Sequence, residues 1–207
     1  MNSVLRSFYK TTVLFVTSAF FKLFKISSFA FTSIATPALG AHISTLELLG
    51  LMSLRTVAHM LKRGAFFYHL PTLVGALYFK ARLEESSYAA KLVYATIPLA
   101  CMALFIAHPV GGQAAVYTLY WIIPAVIALL PRTNVFMSAL GSTLATHAVG
   151  SVIFLFLTPM TPVYWLALVP RVFFERFLFA CGITSFYYTI TLARQLYKAL
   201  SARLVHA

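Results

Sequence analysis

From Val135 to Leu157 the chain carries no formally charged side chain, and the sequence TPMTP closes the run. A helix of that length rises about 1.5 Å per residue and can cross the roughly 30 Å hydrocarbon core of a bilayer. Inside lipid, backbone amides must be satisfied within the segment or across a closed barrel. This run is continuously apolar rather than alternating, which argues for helices and against a barrel.

Three further runs point the same way. Tyr88–Ala107 is apolar apart from Lys91 and ends at HPVGG. Ala114–Leu130 is closed by Pro131-Arg132. Val163 to about Leu192 is long and has Arg194, Lys198 and Arg203 beyond it. The chain is 61% hydrophobic and only 10% charged, well below the roughly 25% charged residues of soluble domains. The expected fold class is all-α, a polytopic membrane helix bundle of about six transmembrane helices.

The N-terminal half is less regular. Ile43–Leu61 can span although it holds Glu47, Arg55 and His59, and Ala65–Phe79 is short with Pro71 inside it. Residues 1–38 mix Arg6, Lys10, Lys22 and Lys25 with Phe, Ser and Thr, which reads as a basic interfacial or membrane-dipping segment. A cleaved signal peptide fits poorly, because Lys22 and Lys25 follow the apolar stretch directly and no small-residue cleavage site stands beside them. The expected organisation is therefore residues 1–38 as that segment and 39–207 as the transmembrane bundle.

Basic residues outnumber acidic ones, 16 to 4. They lie at segment ends and termini, where anionic headgroups and positive-inside topology account for them, so membrane lipids and not nucleic acid are the expected partner. The HPVGGQ and TPMTP connections lack Lys and Arg. The connection at 80–91, the one around Arg132 and the C-terminal tail are basic. The alternation predicts a multi-pass protein of the cell (inner) membrane with both termini cytoplasmic, although Lys62-Arg63 would then face outward. Cys101 and Cys181 sit in apolar runs without a metal or redox spacing and read as buried free thiols.

Candidate ligand contacts fall in the last three apolar runs. At helical spacing, Gln113, Tyr117, Tyr120, Trp121 and Pro124 share one face, either an aromatic belt at the headgroups or a stacking surface for a flat ligand. The next run is rich in small residues (Ser138, Ala139, Gly141, Ser142, Ala145, Ala148) that permit close helix approach. His147 stands among them with Thr143 and Thr146, either as an interhelical hydrogen-bonder or as a ligand or proton site.

The sequence VPRVFFERF then places Arg171 and Glu175 roughly 12 and 18 Å into a helix starting near Val163. At i,i+4 the two can neutralise each other, as a structural ion pair or as part of a polar site. Arg176 points elsewhere and needs a partner such as Glu47, a carbonyl or a ligand. The face shared by Glu47 and Arg55 is expected to meet other helices.

No Asp occurs, and the nucleophile-elbow, metalloprotease, P-loop and dinucleotide motifs are missing. No catalytic residue, metal or cofactor is expected, nor an enzyme.

In size, in six expected spans with both termini inside, and in its small-residue helices, the chain resembles the substrate-binding (S) component of energy-coupling-factor vitamin transporters. The polar and aromatic cluster around Tyr117, Tyr120, Trp121, His147, Arg171 and Glu175 falls where that family builds its pocket. The basic N-terminal segment and the outward Lys62-Arg63 depart from its pattern. The resemblance implies capture of a small polar or aromatic solute, vitamin- or metabolite-like, with separate coupling and ATPase subunits. Two other readings stay open: a structural or assembly scaffold, such as a cell-shape or complex-assembly subunit, and a lipid-modifying enzyme.

Overall fold

The computed structural model describes residues 28–63, 66–84, 87–131 and 133–205. Among these residues all regular structure is helical. The α-helices are α1 (Ser28–Gly40), α2 (Thr45–Arg63), α3 (Leu70–Leu83), α4 (Tyr88–Ala107), α5 (Pro109–Gln113), α6 (Ile122–Leu129), α7 (Val135–Leu157), α8 (Pro162–Ala167) and α9 (Val169–Val205). Two 3-10 segments, Phe66–His69 and Ala115–Trp121, complete the set.

Two described helices, α4 and α7, are long and apolar enough to cross a membrane, and both coincide with runs expected to do so. Their starts are fixed by side-chain caps: Ser87 Oγ accepts from Ala90 N at 3.4 Å and Asn134 Oδ1 from Met137 N at 2.8 Å. They differ in surroundings. Half of the apolar window of α7 is buried, against 22% of that of α4. Accordingly α7 touches α1, α3, α4, α6 and α9, while α4 leaves Leu92, Val93, Leu99 and Leu104 exposed.

Two of the other expected runs are broken, whereas Ile43–Leu61 falls largely within the continuous α2. Ala114–Leu130 divides into a 3-10 stretch followed by α6. The run from Val163 divides at Leu168. Pro170 has no N–H for the Leu166 carbonyl and its ring crowds that carbonyl, so α8 ends and α9 starts afresh. Pro71 proves to be a helix starter, in the first turn of α3, rather than an interruption. Of the segment expected at the interface, residues 28–38 lie within α1, which packs on α3 and α9. Residues 1–27 lie outside the described residues.

Small residues bring α3 and α7 together. Ser142 Oγ donates to the Gly75 carbonyl at 2.7 Å, and a methyl added at Gly75 would collide with Thr146 Oγ1. Gly141 gives the same clearance to the Tyr78 ring, whose hydroxyl donates to the Pro124 carbonyl at 2.6 Å and so ties α3 to α6.

Basic side chains finish one end of the bundle. Buried Arg82 donates to the Ala128 and Leu130 carbonyls at 3.0 and 2.9 Å, closing the C-terminal end of α6. Buried Lys80 donates to the Ile43 carbonyl at 2.7 Å and pairs with Glu84 at 2.6 Å. Arg194 Nη2 donates to the His42 carbonyl at 3.0 Å.

Two expectations for α2 resolve differently. Arg55 faces α1, reaching Thr36 and Thr32 Oγ1 at 3.4 and 3.3 Å. Glu47 instead forms a capping box: Ser44 N donates to Glu47 Oε2 at 2.8 Å and Glu47 N to Ser44 Oγ at 3.2 Å.

Candidate functional site

The second half of α7 forms one wall of a cavity of about 1240 Å³. The 3-10 turn at Phe66–His69 with the start of α3, then α8 and the first turns of α9, supply the others. Along α7 the lining runs from Thr146 to Leu157 and on to Thr158. That is a depth of roughly 18 Å at 1.5 Å per residue. Polar groups gather at the inner end: Tyr117, Thr146, His147, Ser151, Glu175 and Arg176. Around the mouth stand Phe67, Phe154, Leu157 and Tyr164, all exposed.

Tyr117 is the hinge of the polar end. Its hydroxyl lies 2.9 Å from His147 Nε2 and 3.2 Å from Ser151 Oγ. One hydroxyl can donate to one partner and accept from the other, so three side chains on two segments share a chain of hydrogen bonds. The ring is held from behind by Phe105, stacked at 5.6 Å, and by Trp165, edge-on at 5.0 Å. Gly111 permits this packing. It lets the α5 turn fold over Phe105, because a side chain there would strike the Phe105 carbonyl.

The second polar element is an ion pair between chain neighbours. Arg176 Nη2 lies 3.2 Å from Glu175 Oε2. Arg176 Nη1 donates to Thr143 Oγ1 at 3.4 Å, and the guanidinium carbon sits 4.5 Å from the Phe179 ring centroid. Its Nε–H and the indole N–H of Trp165 are buried without a hydrogen-bond partner. The sequence expectation paired Glu175 with Arg171 and counted both deep into a helix from Val163; the break at Leu168 removes that depth, and the pair is not made although both residues stand on α9. Arg171 falls in the first turn of α9 and is exposed, and Glu175 turns to Arg176. Arg176 in turn meets Glu175, Thr143 and Phe179, not Glu47.

The other expected contacts divide as follows. Tyr117, His147 and Glu175 line the cavity. Thr143 lies outside its wall and braces Arg176. Trp121 is fully buried in the layer behind, edge-on to Tyr117 at 6.0 Å. Tyr120 turns away to donate to the Val169 carbonyl at 3.2 Å. Gln113 is exposed and folds back onto the Pro109 carbonyl at 3.2 Å. The shared face assumed α-helical rotation throughout. A 3-10 stretch turns 120° per residue instead of 100°, so Trp121 is rotated about 120° from Tyr117, while Tyr120 stays nearly in line with Tyr117 and is drawn off by its bond to the Val169 carbonyl.

Ser151 and Trp165 are members of the site that spacing did not reveal, and Arg176 was visible only as a charge without a mate. Ser151 was indistinguishable from the packing serines of α7. Trp165 follows the Thr161 cap in a stretch that resembles an ordinary aromatic belt. Among the described residues no group of three or more His, Cys, Asp or Glu side chains is placed to hold a metal ion.

No protein-family model matches the chain, and neither curated proteins nor solved structures give a match.

Proposed function

We propose that this chain is a polytopic protein of the cell's inner membrane that binds a small vitamin- or metabolite-like solute and takes it up, energised by separate subunits. One observation carries the reading: a cavity of about 1240 Å³ whose apolar mouth leads to Tyr117, His147, Glu175 and Arg176. Apolar walls with a few convergent polar groups are the usual composition of a small-molecule site. A bundle that served only as a scaffold would have no need of polar groups gathered at the floor of such a space.

Membrane residence is supported by the surface as well as by α4 and α7. Val116, Leu119, Ile122, Ile123, Val126 and Leu129 are exposed along the 3-10 stretch and α6, a continuous apolar face that water-soluble monomers rarely present.

Orientation follows from charge. Lys80, Arg82 and Arg194 gather where α3 and α6 finish and α7 starts, and the cavity opens at the opposite end. By the positive-inside rule the basic end and the C-terminus are cytoplasmic, so the mouth faces outward and loads from outside. Lys62 and Arg63 run against the rule in this topology. The sequence has no phosphate-binding loop, so nucleotide-driven uptake requires partner subunits.

The test is to purify the full chain, extract it under denaturing conditions and identify any small molecule by mass spectrometry, in parallel with His147→Ala and Glu175→Gln. A defined solute present in the wild type and depleted in folded variants supports the reading. Folded wild-type protein that retains no solute, and whose cells show no uptake defect on its removal, refutes it.

A further inference from the structure

We infer that the cavity's ligand is a net-neutral amphiphile, with a hydrogen-bond donor and acceptor side by side at its polar end and an apolar or aromatic body. This deepens, and rests on, the solute-binding reading above.

The polar end of the cavity is already balanced in charge. Glu175 and Arg176 are joined at 3.2 Å, and both line the space. The guanidinium is buried while the carboxylate side chain is 40% exposed, so the acidic partner is the more reachable. A carboxylate only accepts hydrogen bonds and a guanidinium only donates them. Side by side they present one acceptor and one donor, and the matching ligand edge is a donor beside an acceptor, as in an amide, a lactam or a compact zwitterion.

A ligand bearing a single net charge would leave that charge uncompensated beside the pair, in a region of low dielectric about midway along α7. Such a charge is costly there. The Tyr117, His147 and Ser151 chain adds neutral hydroxyl and imidazole contacts without changing this balance.

The body of the ligand follows from the rest of the wall. Beyond the polar end the wall is mainly apolar, with Ile153, Met160 and Trp165 leading to Phe67, Phe154 and Leu157 at the mouth. The cavity's volume, about 1240 Å³, exceeds the roughly 300–1,000 Å³ of drug-sized sites, so it accommodates a chain or linked rings beyond the polar head.

Three probes with one body and different heads test the inference: phenylhexanamide, phenylhexanoate and phenylhexylammonium. They are titrated into the full chain in lipid nanodiscs and followed by tryptophan fluorescence, since Trp165 stands in the wall. The wild type is expected to bind the amide about tenfold more tightly than either ion. Glu175→Gln leaves Arg176 uncompensated and should move the preference to the carboxylate. Arg176→Gln should move it to the ammonium. If one of the two variants does not fold, the other still decides. Equal or tighter binding of an ion by the wild type, or an unchanged order in Glu175→Gln, overturns the inference but leaves solute binding standing. Failure of all three probes to bind the wild type counts against both.

Discussion

Glu175 and Arg176 are consecutive in the chain and joined by a 3.2 Å ion pair, yet the carboxylate side chain is 40% exposed and the guanidinium side chain 6%. Consecutive residues on a helix point about 100° apart, so the contact needs both side chains to bend toward each other. The Phe179 ring and Thr143 hold the guanidinium, leaving the carboxylate to face the cavity. Removing Glu175 changes the charge of the cavity, whereas removing Arg176 also strips a buried partner from Thr143. Either variant breaks the pair, and Glu175→Gln, which leaves the buried guanidinium without its counter-charge, is expected to cost at least as much as Arg176→Gln, about 3 kcal/mol, measured by thermal unfolding in one detergent.

The seam between α3 and α7 depends on the missing side chain of Gly75. Gly75→Ala must push Thr146 aside and is expected to destabilise the bundle by about 1–3 kcal/mol. Gly50→Ala is the control: on α2 an added methyl meets nothing within 4 Å. It should be neutral or stabilising by up to about 1 kcal/mol, because alanine restricts the unfolded chain. Equal losses in both variants would show that the seam is not close-packed.

Arg82 closes α6 through two carbonyls and reaches Thr133 Oγ1 at 3.2 Å. Arg82→Gln should cost about 2–3 kcal/mol, the range for charged hydrogen bonds. Arg82→Lys should recover only part of it, because an ammonium lacks the guanidinium fork. Full recovery in thermal unfolding would reduce the role of Arg82 to charge alone.

His42 provides a pH dependence at the basic end. Its ring stacks on Tyr187 at 4.9 Å. Burial first, and then the nearby Arg194 and Lys80 charges, lower its pKa below the ordinary 6.5. The fold therefore favours the neutral ring. The contribution is complete above 6.5 and is lost as pH falls from 6.5 through the lower folded value. Unfolding temperature should fall with acidification across that window, and less steeply in His42→Phe. An identical slope in the variant would assign the effect elsewhere.

How much of this was readable in the sequence depended on whether one segment or several decide the outcome. α4 and α7 were legible to the residue because charge, length and caps coincide within each. The close approach at Gly141 and Ser142 was legible as a small-residue run. The depth expected for Arg171 and Glu175 failed because it counted an unbroken helix from Val163, although Pro170 carries the signal for the break. The 3-10 stretch at Ala115–Trp121 carries no such marker, so the turn of Trp121 away from Tyr117 is not legible in the sequence. The cavity itself is tertiary: Phe67 and Pro71 reach it only because α3 packs on α7.

Tyr117→Phe isolates the hydroxyl between His147 and Ser151. Its loss should cost about 1 kcal/mol of stability and weaken retention of a bound solute about tenfold. Retention at wild-type level would make the hydroxyl a packing feature only.

The central claim is that the cavity holds a solute, and Gly150 offers the most direct test. Gly150 lies on the cavity wall, and a Cβ there meets only Pro71, at 3.7 Å. Gly150→Leu should therefore fold normally while filling the space between the mouth and His147. Mass spectrometry of solute extracted from equal amounts of folded wild-type and Gly150→Leu protein decides the matter. Loss of the solute from the plugged variant is the expected result, and undiminished solute in folded Gly150→Leu would contradict the account.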